Sequence, residues 1–283
     1  MRCSLVTAAA LVLAGAAGAH AGAWTRGPRS FYAKLALSTL RTSSFYTPDG
    51  HRISTAKFSS SSLDLYAEYG LGRRLTGVVQ FPIVKSASFE TTETETGVGD
   101  LGLELKYGLR LGASPFALGV GVELPTGDER GAAALEDQAG SPGGFIRLPT
   151  GDGEFNTRVT LYVSRSFHSM PAYISAEAGY NLRNERFTDE YMFGLQAGYG
   201  VAGRLWLNAN LRGVGPVTNP DPARALETAN GFGEGVQYIG IGIGAACDVV
   251  PHLGLTFDVY RATGRITNIH SGARLVFGLA AEY

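Results

Sequence analysis

From residue 101 to residue 111 every second position is apolar. Leu101, Leu103, Leu105, Tyr107, Leu109 and Leu111 share one face, and Gly102, Glu104, Lys106, Gly108 and Arg110 share the other. A side-chain period of two is that of a β-strand. The pattern recurs over residues 31–37, 63–69, 75–83, 116–124, 155–163, 174–182, 191–201, 205–211, 239–249, 253–259 and 273–283. Twelve strands are therefore predicted. An even number returns the chain to the side from which it starts, so the sheet can close. The lengths suit tilted strands that cross a bilayer in about 9–11 residues.

The connections alternate as well. Those at residues 70–74, 112–115, 167–171, 202–204 and 250–252 are short. Those at 42–57, 86–99, 125–154, 216–235 and 262–271 are long, and the one at 184–189 is intermediate. Short turns on one side and long loops on the other is the layout of outer-membrane barrels, with the turns in the periplasm and the loops outside. The segment 125–154 exceeds the usual loop limit of about 12–15 residues and is a candidate constriction or lid.

The distribution of charge separates a membrane barrel from a soluble sandwich or lipocalin-like barrel, which also alternates. The apolar faces carry almost no charge along their middles. Arg41 and Arg165 fall at strand ends, where an outward charge costs roughly 0–1 kcal/mol against 2–4 at the midplane. The opposite faces carry Lys34, Lys106, Arg110, Arg158, Arg183, Arg212 and Arg274, with Asp64, Glu68, Glu104, Glu123, Glu177, Asp248, Asp258 and Glu282. In a membrane barrel these line a wet lumen, where both signs can pair. In hydrocarbon every backbone donor and acceptor must be paired within the protein, so a spanning sheet must close. The expected fold is all-β: a closed antiparallel transmembrane β-barrel of about 12 strands. Tyr283 ends the last strand as an aromatic, the form by which outer-membrane proteins of this kind are recognised by the barrel-insertion machinery.

Residues 1–21 fall outside this pattern. Arg2 precedes an apolar run over residues 5–18, and Ala19-His20-Ala21 places small residues at the −3 and −1 positions. This is the form of a secretory signal peptide cut after Ala21, with Ala23 a poorer second choice. The run is shorter than the ~20 residues of a spanning anchor. The barrel domain then covers 22–283 and keeps one cysteine, Cys247, on the apolar face of its strand. One thiol forms no internal disulfide, so the exported chain draws its stability from elsewhere.

Composition agrees. Gly accounts for 39 of 283 residues, about twice its usual share of roughly 7%. Gly weakens a helix interior by about 1 kcal/mol relative to Ala, which argues against a helical bundle. The formal net charge of −1 gives nucleic acid no basic surface to bind. At 45% hydrophobic residues the chain is not of disordered composition.

Several segments resemble a known family. Pro125-Thr126-Gly127-Asp128 ends one strand and Pro149-Thr150-Gly151-Asp152-Gly153-Glu154 opens the next. Ala178-Gly179-Tyr180-Asn181-Leu182-Arg183, Asp189-Glu190, and Gly203-Arg204-Leu205-Trp206-Leu207 leading to Leu211-Arg212-Gly213 follow. Together they resemble the outer-membrane barrels grouped as the MetA pathway of phenol degradation, described as transporters. Asn181 departs from that pattern, which has a basic residue there in many members. The resemblance implies an outer-membrane location, contact with lipid and lipopolysaccharide, and a small-molecule solute of aromatic or otherwise hydrophobic character.

The residues expected to line the passage are Lys106, Arg110, Arg158, Arg212 and Arg274, with Glu104, Glu123 and Asp258. Charges in a lumen set selectivity rather than catalysis. The alternative is a structural or adhesive barrel whose external loops bind a partner. Enzymatic chemistry is weakly signalled. His51 and His270 belong to outer loops and His168 and His252 to periplasmic turns, none on a strand beside a serine nucleophile. His51 beside Asp49 reads as a solvated loop. The sets Glu90, Glu93, Glu95 and Asp128, Glu129, Glu136, Asp137 could attract divalent ions, but solvated loops explain them as well. The Gly-x-Gly-x-Gly run from Gly240 has no following helix and is not a dinucleotide fingerprint. No cofactor is expected.

Overall fold

The computed structural model describes residues 22–111, 114–135, 144–185, 187–201, 203–221 and 234–283. The leader expected over 1–21 and the acidic pair Glu136 and Asp137 lie outside the described residues. Twelve long strands form the wall: β1 Phe31–Tyr46, β2 Arg52–Gly70, β3 Leu75–Phe89, β4 Leu101–Leu111, β5 Ser114–Leu124, β6 Asn156–Phe167, β7 Ala172–Leu182, β8 Glu190–Gly200, β9 Leu205–Pro216, β10 Gln237–Val250, β11 Leu253–Thr267 and β12 Ala273–Glu282. Each pairs antiparallel with its neighbours in chain order, and β12 pairs with β1. The ring is closed, as the pattern of alternation predicts.

The faces fall as expected. Leu105 on β4 is 54% exposed and its neighbour Lys106 is 0% exposed. The same contrast separates Leu35 from Lys34 and Phe257 from Asp258. The apolar rows face outward to lipid and the charged rows face the lumen. Cys247 is exposed on the outward row. At the end that holds the short turns, Phe31 stacks on Tyr283 with centroids 6.3 Å apart, and their backbones exchange hydrogen bonds of 2.8 and 2.9 Å. This aromatic pair belongs to the periplasmic interface.

Two features differ from the sequence reading. Residues 42–57 and 262–271, expected as loops, are largely strand. β1 and β2 pair as far as Tyr46 and Arg52, leaving residues 47–51 as the tip. β11 runs to Thr267, and Ile269–His270 pairs with the end of β1. Above the bilayer both faces of a hairpin meet water, so Ser and Thr replace the apolar row and the alternation disappears. The second difference lies in β3. Asp64 pairs with Pro82 but Leu63 pairs with Val84, so Ile83 is an extra residue. Pro82 has no N–H to give the ladder, and such residues are confined to bulges and edges. The bulge shifts the parity of β3. Ile83, expected on the outward row, yields that place to Val84, and Lys85 turns into the lumen.

A charge placed at the outward midplane tests this assignment. Leu105→Arg is expected to destabilise the barrel by about 2–4 kcal/mol in reversible unfolding from phospholipid vesicles. A cost below about 1 kcal/mol would mean that this face does not meet hydrocarbon.

Candidate functional site

The lumen is closed at its periplasmic end by the segment that precedes β1. Arg26 donates from Nε to Glu68 at 2.7 Å and lies 3.4 Å from Glu282. Its guanidinium stands 5.0 Å from the Tyr32 ring centre. The Ala23 amide donates to Ser164, and Lys106 donates to the Gly22 carbonyl at 3.1 Å. Trp24 meets Tyr173 edge-on at 5.7 Å. Glu68 is the centre of this closure, accepting from Arg26, from Lys106 at 3.1 Å and from Tyr66 at 2.6 Å. Two cations and a phenol offset the cost of burying one carboxylate. The segment also runs against the wall where β2 ends. A Cβ at Gly70 would overlap the Gly27 carbonyl, so only Gly fits.

The outer end is covered by the described parts of the segment between β5 and β6, residues 125–135 and 144–155. Its two Pro-Thr-Gly-Asp copies stand against each other, with Asp100 holding both. Asp100 accepts from the Gly127 amide at 2.9 Å and from the Asp152 amide at 3.0 Å. The Thr150 hydroxyl accepts from the Asp128 amide, and Lys85 donates to the Thr150 carbonyl at 2.6 Å. A Cβ on Gly127 would lie 2.6 Å from the Gly151 Cα, so the approach requires Gly. Arg183 grips Glu154 through two nitrogens and Glu190 at 3.0 Å. Beyond this latch, Ala132–Ala134 pairs with Phe145–Arg147. Leu148 and Ala133 bury themselves against Phe58 on the far wall, beside Leu40 and Phe89. The described parts of the segment expected as a constriction or lid, residues 125–135 and 144–154, therefore reach across the lumen.

A cavity of about 530 Å³ remains beside this segment. Leu40, Phe58, Met192 and Tyr238 supply apolar surface, while Asp64, Lys85, Arg183 and Glu190 supply charge. The volume is that of a small-molecule site. Three of the expected passage residues line it: Glu123, Arg158 and Arg274. Arg158 pairs with Glu123 at 3.3 Å, and its Nε is buried without a hydrogen-bond partner. Arg274 donates to the Ser38 hydroxyl at 2.8 Å.

The others stand elsewhere. Lys106 is fully buried beneath the N-terminal segment. Glu104 accepts from the Tyr162 hydroxyl at 3.0 Å. Asp258 pairs with Lys34 at 3.4 Å, and Arg212 lies 3.8 Å from Glu177. Arg110 faces Pro115 in the register of β4 and β5, and its side chain lies outside the described residues. The expected set omits Glu68, Lys85, Asp100 and Arg183, which hold the two closures.

His51 lies 3.5 Å from Asp49 with both side chains exposed, as a solvated turn. His270, expected in a loop, is buried in the short strand and stacks on Phe58 at 4.3 Å. Among the described residues no three His, Cys, Asp or Glu side chains gather into a metal site.

No protein-family model and no curated protein matches the sequence. Solved structures do. An outer-membrane channel from Pseudomonas putida F1 aligns with a TM-score of 0.67 at 16% identity, covering 92% of this chain and 97% of that one. The NanC porin aligns at 0.55 and 7% identity, over 89% of this chain and 100% of the porin. The translocator domain of the autotransporter NalP from Neisseria meningitidis aligns at 0.55 and 9% identity, over 91% and 90%. At these identities the likeness is one of fold. The chain is a closed twelve-stranded antiparallel β-barrel with the fold of these outer-membrane proteins.

The outer latch is expected to respond to pH. Burial pushes the Glu154 carboxyl up to about 8 and Asp152 up to about 6, against the pull of Arg183. Undocked, both would return to the ordinary range near 4. The docked state thus holds its protons more tightly. Docking is strongest at low pH and weakens as pH rises through about 6 and then about 8. Amide exchange in residues 148–155, corrected for intrinsic rates, is expected to be faster at pH 9 than at pH 5. Equal protection at both values would show that these carboxyls do not control the latch.

Proposed function

We propose that this protein is an outer-membrane passage for small solutes, closed at rest by its N-terminal segment and by the segment 125–154. The observation that carries the reading is the cavity beside the outer segment, lined by apolar, neutral polar and charged side chains together. A solute with an aromatic or aliphatic body and a polar group suits such a lining, as the resemblance to the MetA-pathway barrels implies. Arg158, Arg274 and Glu123 are the selectivity residues at the cavity. Lys106, Arg110, Arg212, Glu104 and Asp258 remain candidates for the rest of the passage; of these, Lys106, bound to the Gly22 carbonyl, meets solute only when the N-terminal segment leaves. Export through a signal peptide cut after Ala21 would leave Gly22 as the first residue, in the place where its carbonyl binds Lys106. Lipopolysaccharide and lipid surround the wall, and the insertion machinery acts through the final strand.

Planar-bilayer recording of the refolded 22–283 chain tests the passage. Arg26→Ala combined with Asp100→Ala removes the grip of the N-terminal segment on Glu68 and Glu282 and frees the outer segment from the carboxylate that holds both Pro-Thr-Gly-Asp copies, while leaving the Lys106–Glu68 pair of the wall intact. Its conductance is expected to exceed that of the wild type by severalfold, with faster swelling of liposomes in small aromatic solutes. If both proteins insert and neither passes ions or solute, the reading fails in favour of a structural or adhesive barrel.

A further inference from the structure

Three arginines on the outer side of the wall have no protein partner. Arg41 of β1 and Arg261 and Arg265 of β11 are exposed. Among the described residues none of them makes a side-chain hydrogen bond or an ion pair. Lys57 of β2 is also exposed. The register brings two of the arginines together. Leu40 pairs with Arg274, and the next residue of β12, Ala273, pairs with Arg261. Arg41, Ala273 and Arg261 therefore fall in one row across three adjacent strands. Two strand spacings put the arginine Cα atoms about 10 Å apart.

The height of this row is fixed from below. Phe31 marks the periplasmic interface through its stack on Tyr283. Ten steps of about 3.4 Å from Phe31 to Arg41, tilted by about 40°, rise ~26 Å, close to the ~25 Å apolar band of such barrels. Arg41 thus leaves hydrocarbon where the headgroups of the outer leaflet begin. Beneath it stand the exposed Leu35, Leu37, Leu255, Phe257, Phe277 and Leu279.

Charge on this side is of one sign. The carboxylates of β1, β2, β11 and β12 are Asp64, Glu68, Asp258 and Glu282, and all four stand on the lumen rows. The outward rows of the remaining strands carry no Lys or Arg at their outer ends. Arg165, outward on β6, lies next to the periplasmic turn. Among the described strand residues, the outward-facing cations at the outer ends are therefore gathered on one sector of the rim, over an apolar wall.

We propose that this sector is a binding site for the phosphorylated glycolipid of the outer leaflet, lipopolysaccharide, with its lipid A phosphates on Arg41 and Arg261 and its acyl chains on the wall below. Guanidinium binds phosphate through paired hydrogen bonds, and basic residues at the headgroup level attract anionic lipid. The site lies on the outer wall and is independent of whether the lumen conducts.

Native mass spectrometry of the detergent-solubilised protein, titrated with defined lipids, tests this. Bisphosphorylated lipid A is expected to bind the wild type at least tenfold more tightly than dephosphorylated lipid A or phosphatidylglycerol. The double variant Arg41→Gln, Arg261→Gln is expected to lose that preference, and Arg41→Lys, Arg261→Lys to keep part of it. Equal binding of all three lipids by the wild type overturns the proposal, as does an unchanged preference in the glutamine variant. The lipid comparison on the wild type decides the matter even if a variant does not insert.

Discussion

A backbone in hydrocarbon has no water with which to pair its N–H and C=O groups, and each unpaired group costs several kcal/mol. Everything in this chain follows from that constraint. The strands cannot end at an edge, so β12 must return to β1, and it does so in continuous register from Tyr32–Glu282 to Leu40–Arg274. Closure then creates an inside and an outside with opposite chemistry. Alternation is the only way a strand can serve both, which is why Leu105 and Lys106 are neighbours in sequence and opposites in environment.

Closure also creates a problem within. A ring of twelve strands is wider than its own side chains can fill, and its inner rows are studded with Gly. The space is taken by chain instead. The N-terminal segment enters from the periplasmic side and the segment after β5 from the outside, and each is fastened by hydrogen-bonded carboxylates. Glu68 serves the first. Asp100 and Glu154 serve the second, together with Arg183. The wall glycines that let these segments approach, such as Gly70, are part of the same solution. Their abundance in the composition has this second cause besides turns.

The wall was legible in the sequence because the bilayer demands a strict period of two over a fixed length. Where the bilayer ends, legibility ends. The outer halves of β1, β2 and β11 are strands with water on both faces, so no apolar row marks them. Lys85 was hidden by one extra residue, Ile83, which turns an outward position inward; Pro82, unable to donate to the ladder, was the available sign. Arg158, Glu123 and Arg274 were placed on the lumen face by parity alone, which did not distinguish them from the five other candidates that do not line the cavity. Asp100 and Glu154 could not be, because they lie just outside strands and act by holding a distant segment. Their role depends on how the two Pro-Thr-Gly-Asp copies meet, which spacing in the sequence does not encode. Arg26 and Trp24 sit in a segment with no period at all.

The nature of the fastenings bears on whether they can be undone. An apolar plug would stay where it is driven, since every opening would expose its surface to water at about 25 cal/mol per Å². Ion pairs behave otherwise. Breaking one partner away inside a dry site is costly, but a pair released into water recovers the hydration that each charge gave up, and the net balance of a buried pair is close to even. The inner segment is held by such pairs, Arg26 with Glu68 and Glu282, and the outer one chiefly by hydrogen bonds of Asp100, Thr150 and Glu154, at the border of a lumen lined with polar groups. Apolar contacts add to each closure: Leu148 with Phe58 at the outer one, and Ala23 with Ala117 and Tyr162, and Trp24 with Tyr173, at the inner one. Each closure thus joins polar fastenings that can be released at little net cost to a small apolar seam that resists release.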